Sequence, residues 1–361
     1  LLQSAFEIAS EIPEVPHQKD RAKMQAAAVQ AALQLDRPDL ARTYVEQIGD
    51  WRRGAGYADY AFYLARQGQT NEVQRYLDLA EAIARTADQD WRRDRINVRI
   101  AQTHAVLGHT ALATSFSTDL EASETGKMEQ TQAELCASGD FDRCLSDLDP
   151  LLSTADFDQT KNALYALAEL FNRFYAETKL RNTAEQKLRS AWGALPLFVR
   201  MELLETLADF ALQNQDVSKA RELADEAREL LVSAQWPTEY RVPASARLAA
   251  LRFRCGEPGV ARTELAAALE WFDQHPAEII DIYKADTLLP VAEAFQTVGD
   301  PNGARAVYLR ALAVAVENPN SRPRAEDLCA VCLSMAAHGV EPDEALQARI
   351  REIRDGLGDP W

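Results

Sequence analysis

Along most of this chain apolar residues recur at intervals of three and four, in stretches separated by short polar turns, which is the pattern of successive amphipathic helices. The clearest stretch covers residues 285–318. Leu288, Val291, Ala292 and Phe295 share one helix face, Gly299 stops that helix, and Asp300-Pro301 opens the next with a capping carboxylate and a ring at the first helical position. Ala304, Tyr308 and Ala311 form the second stripe, and Asn318-Pro319 closes the unit. The same order of stripe, turn and stripe returns in Tyr57, Tyr60, Ala61, Leu64, Gly68, Val73, Leu77 and Ala80, and in Ile100, Ala101, His104, Gly108 and Ala113. It returns again around Gln215-Asp216 and Gly256. More degenerate turns fall near Asp36-Arg37-Pro38, Gly139-Asp140, Lys179-Leu180 and Gly339. The turn anchors at 36, 68, 108, 139, 179, 215, 256, 299 and 339 lie 31 to 43 residues apart.

Self-similarity at this period predicts a helical-repeat array. The expected fold is all-α: a right-handed α-α superhelix, or solenoid, of about nine antiparallel helix pairs forming an elongated curved rod. Alanines such as Ala292 and Ala304 fall where two paired helices touch, and a methyl-sized side chain lets helix axes approach to about 8–9 Å. The run Leu288, Val291, Ala292, Phe295, Gly299-Asp300, Ala304, Tyr308, Ala311 resembles the tetratricopeptide repeat family, although the spacing is mostly near 40 and the family period is about 34. That resemblance implies a concave face lined by the first helix of each pair, here by Phe62, Arg66, Arg99, Gln102, Asp209 and Gln213, with partners lying along it. The Lys and Asn set of the family's carboxylate-clamp variant is missing.

Asp149-Pro150 and Ser153-Thr154-Ala155-Asp156 break the pattern. They suggest two helical-repeat sub-arrays, residues 1–156 and 157–361, or one continuous solenoid. Pro290 is expected to kink its helix and set residues 276–286 apart as a separate piece. Residues 1–14 and Pro342 to Gly356 read as end caps with one polar face, and Trp361 as part of a tail that frays.

The net charge of −17, from 56 acidic against 39 basic residues, repels phosphate backbones and argues against nucleic-acid binding. The charge is uneven: residues 51–110 carry nine Arg against seven acids, and residues 111–160 eleven acids against two bases. An odd number of cysteines, five, argues against a disulfide framework; Cys136 and Cys144, on either side of a turn, read as small buried residues, with an approach of the two across the turn as the alternative. Cys329-x-x-Cys332 is a weak zinc half-site. No run of 18 apolar residues occurs, so no membrane span is expected. Leu1 stands where Met would, which leads to the expectation of a fragment or a processed chain. The expected location is cytoplasmic, with a periplasmic one as the alternative if a signal peptide has been removed.

One tetrapeptide is duplicated: Asp50-Trp51-Arg52-Arg53 recurs as Asp90-Trp91-Arg92-Arg93, each ten residues ahead of a small core residue, Ala61 or Ala101. One reading has each Trp stapling its helix to the preceding repeat while Arg pairs with a nearby acid. The other has paired Trp and Arg forming a ladder for an acidic peptide or terminal carboxylate, since the guanidinium fork matches two carboxylate oxygens. Partner-binding candidates are therefore Trp51, Arg52, Arg53, Phe62, Arg66, Trp91, Arg92, Arg93, Arg95, Arg99 and Gln102. The histidines carry no His-x-x-x-His pair with a Glu base, and no Gly-x-Ser-x-Gly, Walker or dinucleotide pattern occurs. No catalytic residue, metal or cofactor is expected. The expected function is a non-catalytic protein–protein interaction scaffold that holds a peptide or partner subunit. The alternatives are a self-assembling structural module that forms homodimers, or a regulatory segment of a longer protein that binds a small ligand.

Overall fold

The computed structural model describes residues 1–154 and 156–361; Ala155, within the break at Ser153–Asp156, lies outside the described residues. Among the described residues every regular element is helical. The helices are α1 (Leu2–Glu11), α2 (Glu14–Gln34), α3 (Pro38–Val45), α4 (Arg52–Arg66), α5 (Val73–Ala84), α6 (Asp90–Val106), α7 (Thr110–Ser117), α8 (Ala122–Leu135), α9 (Phe141–Asp147) and α10 (Asp149–Leu152). They continue with α11 (Phe157–Arg173), α12 (Thr178–Ala191), α13 (Leu197–Gln213), α14 (Val217–Ser233), α15 (Thr238–Arg254), α16 (Pro258–Gln274), α17 (Asp281–Thr297), α18 (Pro301–Ala315), α19 (Ser321–Ala337) and α20 (Glu344–Asp355). From α2 onward they succeed one another as helix pairs, an all-α helical-repeat array.

The turns explain the pairing. Asp36, Gly68, Gly108, Gln215, Gly256, Gly299 and Gly339, all expected anchors, have left-handed backbone. At each, the next N–H bonds back to the carbonyl five residues earlier: Arg37 to Ala32, Gln69 to Leu64, His109 to His104, Asp216 to Ala211, Glu257 to Arg252, Asp300 to Phe295 and Val340 to Met335. This closes the last helical turn and reverses the chain. Two anchors behave otherwise. Gly139 lies in a 3₁₀ turn, Ser138–Asp140. The turn placed at Lys179-Leu180 comes earlier, at residues 174–177, and Lys179 is inside α12. The alanines at pair contacts are sealed: Ala61, Ala101, Ala208, Ala249, Ala292 and Ala304 have no exposed surface.

Packing divides the chain into two compact units, Leu1–Arg52 with Ala224–Trp361, and Arg53–Leu223. Residue 156, expected to separate two sub-arrays, falls within the second. In the first unit, α1 is not an end cap with a polar face. Ala5, Ile8, Ala9 and Ile12 share one apolar core with Leu328, Cys329, Cys332 and Met335 of α19. Arg354 of α20 reaches Glu7 at 3.0 Å and Glu11 at 2.5 Å. The expectation of a cap fails for α1 because its apolar stripe packs against α19 and is buried in the core of the first unit. The tail is not frayed either. Ser321 N–H donates to Pro360 O at 2.8 Å, and Trp361 packs against the same core. Pro290 sits inside one uninterrupted α17, and residues 276–278 form only a 3₁₀ turn. Cys329 and Cys332 are enclosed among apolar side chains; Cys329 Sγ lies 3.3 Å from Ala5 O, and burial pushes the Cys332 thiol up to about 12.

In the second unit, α8 and α11 approach so closely that a Cβ on Gly126 would stand 2.1 Å from that of Asn162. Cys136 and Cys144 form a disulfide across the α8–α9 turn, correcting their reading as separate buried thiols. The bridge ties together a turn that lacks the left-handed residue used elsewhere.

Candidate binding face

Four helices of the second unit place polar side chains on one face by the same helical spacing. Asp59, Phe62 and Arg66 succeed one another on α4, Arg95, Arg99 and Gln102 on α6, and Glu124, Lys127, Thr131 and Glu134 on α8; Glu169 adds to them from α11. Residues three and four apart share a helix face, so each row projects as a set, and the rows interlock. The Arg99 guanidinium lies 4.6 Å from the centre of the Phe62 ring and that of Arg66 5.3 Å, within range for attraction to the ring's electron density. Arg99 Nε donates to Asp59 Oδ1 at 2.6 Å and Nη1 to Gln102 Oε1 at 2.9 Å. Gln102 Nε2 in turn donates to Lys127 O and Thr131 Oγ1, each at 2.9 Å. Arg95 reaches Glu124 at 3.4 Å, and Lys127 also pairs with Glu124. Arg66 pairs with Glu134, joining α4 to α8.

The charges on this face do not balance evenly. Burial pushes the Glu169 carboxyl up to about 7; Glu134 adds to the shift and Arg66 opposes it. Burial also lowers Lys127, with Glu124 opposing and Arg95 and Arg99 reinforcing. Two acids thus share the influence of one guanidinium at the Arg66 end.

Of the residues expected at a binding site, the structure joins Phe62, Arg66, Arg95, Arg99 and Gln102 in this network. The tetrapeptide residues are held in their own turns. Trp51 and Arg52 belong to the first unit, where Arg52 pairs with Asp50 and lies 4.8 Å from the Trp51 ring centre. Arg53 opens the second unit and is exposed. Arg92 pairs with Asp88 at 2.7 Å and lies 5.1 Å from the ring centre of Trp91, which is 40 % exposed. Arg93 pairs with Asp90 and with buried Asp94, both at 2.9 Å. Asp94 also accepts the Glu121 N–H at 3.1 Å, fastening α6 to the start of α8. Asp209 is half-buried and Gln213 exposed on α13. The acids Asp59, Glu124, Glu134 and Glu169 are not among the residues expected from the sequence, although Asp59 lies on the same helix face as Phe62 and Arg66, and Glu124 and Glu134 on that of Lys127 and Thr131.

No family model matches this chain, and no curated protein matches it. Among solved structures, a circular tandem repeat protein with novel repeat topology and enhanced subunit contact surfaces aligns with 98 % of this chain and 94 % of its own, at 14 % identity and a TM-score of 0.30. Similarity at that level carries no argument, and the helical-repeat fold is read from the chain's own helices and turns.

Proposed function

We propose that this protein is a non-catalytic interaction scaffold of tetratricopeptide-like hairpins, whose α4–α6–α8 face binds an acidic segment of a peptide or partner subunit. The observation that carries this reading is the Arg66–Phe62–Arg99 cluster, in which Arg66 is tied to Glu134 beside the strained acid Glu169. Arg66 is exposed and Glu134 half-buried, and a pair open to solvent in this way contributes only about 0–1 kcal/mol. An incoming carboxylate can therefore take the place of Glu134 at little cost, while Phe62 supplies an aromatic anchor. The alanine-sealed pair contacts and the Gly299-Asp300 turn support the tetratricopeptide likeness. The Cys136–Cys144 bridge supports an oxidising compartment, the periplasmic alternative to the cytoplasmic location expected from the sequence.

Selection from a random peptide library displayed against the intact chain tests the proposal. Enrichment of Asp and Glu is expected, with at least a roughly tenfold loss of affinity in a folded Arg66→Gln/Arg99→Gln variant, about 1.4 kcal/mol. Acidic peptides that bind this variant as well as the parent would remove the face from consideration.

A further inference from the structure

A second site lies in the first unit, on helices that contribute nothing to the α4–α6–α8 face. Between α2, α17 and α19 is a cavity of about 240 Å³. Met24, Ile282, Tyr283, Pro323 and Ala330 supply its apolar walls. Ile282 and Tyr283 are 44 % and 47 % exposed, unusually open for such side chains. On the α19 wall stands Asp327, 7 % exposed. No hydrogen bond or ion pair to it is found among the described residues. A buried carboxylate in that state is costly, because desolvation is not offset by a partner.

The charges around it are otherwise engaged. Arg322 pairs with Glu326 at 2.9 Å and approaches Asp20 at 3.9 Å. Lys23, exposed on α2, favours the charged form of Asp286 on α17. With Asp327 ionised, three carboxylates, Asp286, Glu326 and Asp327, line the cavity against two cations, Lys23 and Arg322, one negative charge in excess; with Asp327 protonated the charges balance. Burial first, and then the charges of Asp286 and Glu326, push the Asp327 carboxyl up to about 8.

We propose that this cavity binds a small organic cation, an amine with a short alkyl or aryl body, whose ammonium group pairs with Asp327 and whose body lies against Met24, Tyr283 and Pro323. An ammonium group offsets the one negative charge that Asp327 acquires when it gives up its proton, and the apolar walls favour an organic body over a hydrated ion. A metal ion fits the donors poorly: no group of three His, Cys, Asp or Glu suited to a metal occurs among the described residues, and hard cations take six or more oxygen ligands. The ligand also explains the open aromatic ring, since the face of Tyr283 can receive a cation or be covered by an aryl group.

Titration calorimetry on the intact chain with butylamine and phenethylamine, against butanol and phenethyl alcohol as neutral isosteres, tests this. The amines are expected to bind saturably, one per chain, at least about tenfold more tightly than the alcohols. Asp327→Asn, nearly isosteric, is expected to abolish that preference, and Ala330→Met, which fills the cavity, to abolish binding of both classes. Amines and alcohols binding alike, no saturable binding of either amine, or unchanged amine affinity in a folded Asp327→Asn chain would each overturn the proposal. The comparison of amine with alcohol needs no variant, so it decides the matter even if both substitutions impair folding. Neither result bears on the acidic-peptide face, which is tested through Arg66 and Arg99.

Discussion

Gln215 does with a full side chain what Gly68, Gly108, Gly256, Gly299 and Gly339 do without one. Its φ of 63° lies in the left-handed region, where a Cβ costs about 1 kcal/mol or more. Gln215→Gly is therefore expected to stabilise the fold by roughly 1 kcal/mol, a rise of about 2–4 °C in Tm. An unchanged or lower Tm on thermal melting would show that the Gln side chain supplies more than its backbone costs. Asp327 supports a second prediction at this scale. Its carboxyl titrates near 8 in the folded chain, against about 3.9 when unfolded. Between those values the folded state holds a proton that the unfolded state has released. Stability is thus greatest below about pH 4 with respect to this group, and falls as pH rises towards 8. Asp327→Asn should melt above the parent at pH 8.5 and draw level near pH 4; parallel melting curves across that range would contradict the burial argument.

Helices repeat more faithfully in the first member of each pair than in the second. The helices α6, α11, α13, α15, α17 and α19 each have 17 residues, whereas their partners range from 8 in α7 to 17 in α14 and α16. A first helix is packed by neighbours before and after it, so its length is constrained from both sides. The weakest point of the pattern, the α8–α9 turn, was hard to read because a disulfide replaces the left-handed residue there. Close packing makes a further prediction. Gly126→Ala would drive a methyl group into Asn162, and separating α8 from α11 should cost about 1–3 kcal/mol by the measure of overpacked cores. Chemical denaturation measures this directly, and a loss below about 0.5 kcal/mol would mean that the two helices yield freely.

At the scale of the molecule's compact units, residues far apart in sequence share one core in the first of them. Ile8 of α1 has no exposed surface and sits in the core that includes α19. Ile8→Ala should cost about 2–5 kcal/mol. Hydrogen exchange should report the loss as faster exchange throughout residues 1–52 and 224–361, with residues 53–223 much less affected. Equal acceleration everywhere would show that the two units unfold as one.

What the sequence by itself determined was the repeat: apolar stripes, alanines at the contacts and left-handed turns act over a few residues, so each can be read locally. Five of the side chains in the candidate face were legible for the same reason, since they lie at helical spacing on helices whose phase the turns reveal. Only the tertiary structure decided which residues meet across hundreds of positions: α1 with α19, Arg354 with Glu7 and Glu11, and Asp327 with Lys23 and Met24 around one cavity. Burial is a property of the assembled chain, and an aspartate in the middle of a helix reads the same whether it faces water or a closed apolar wall.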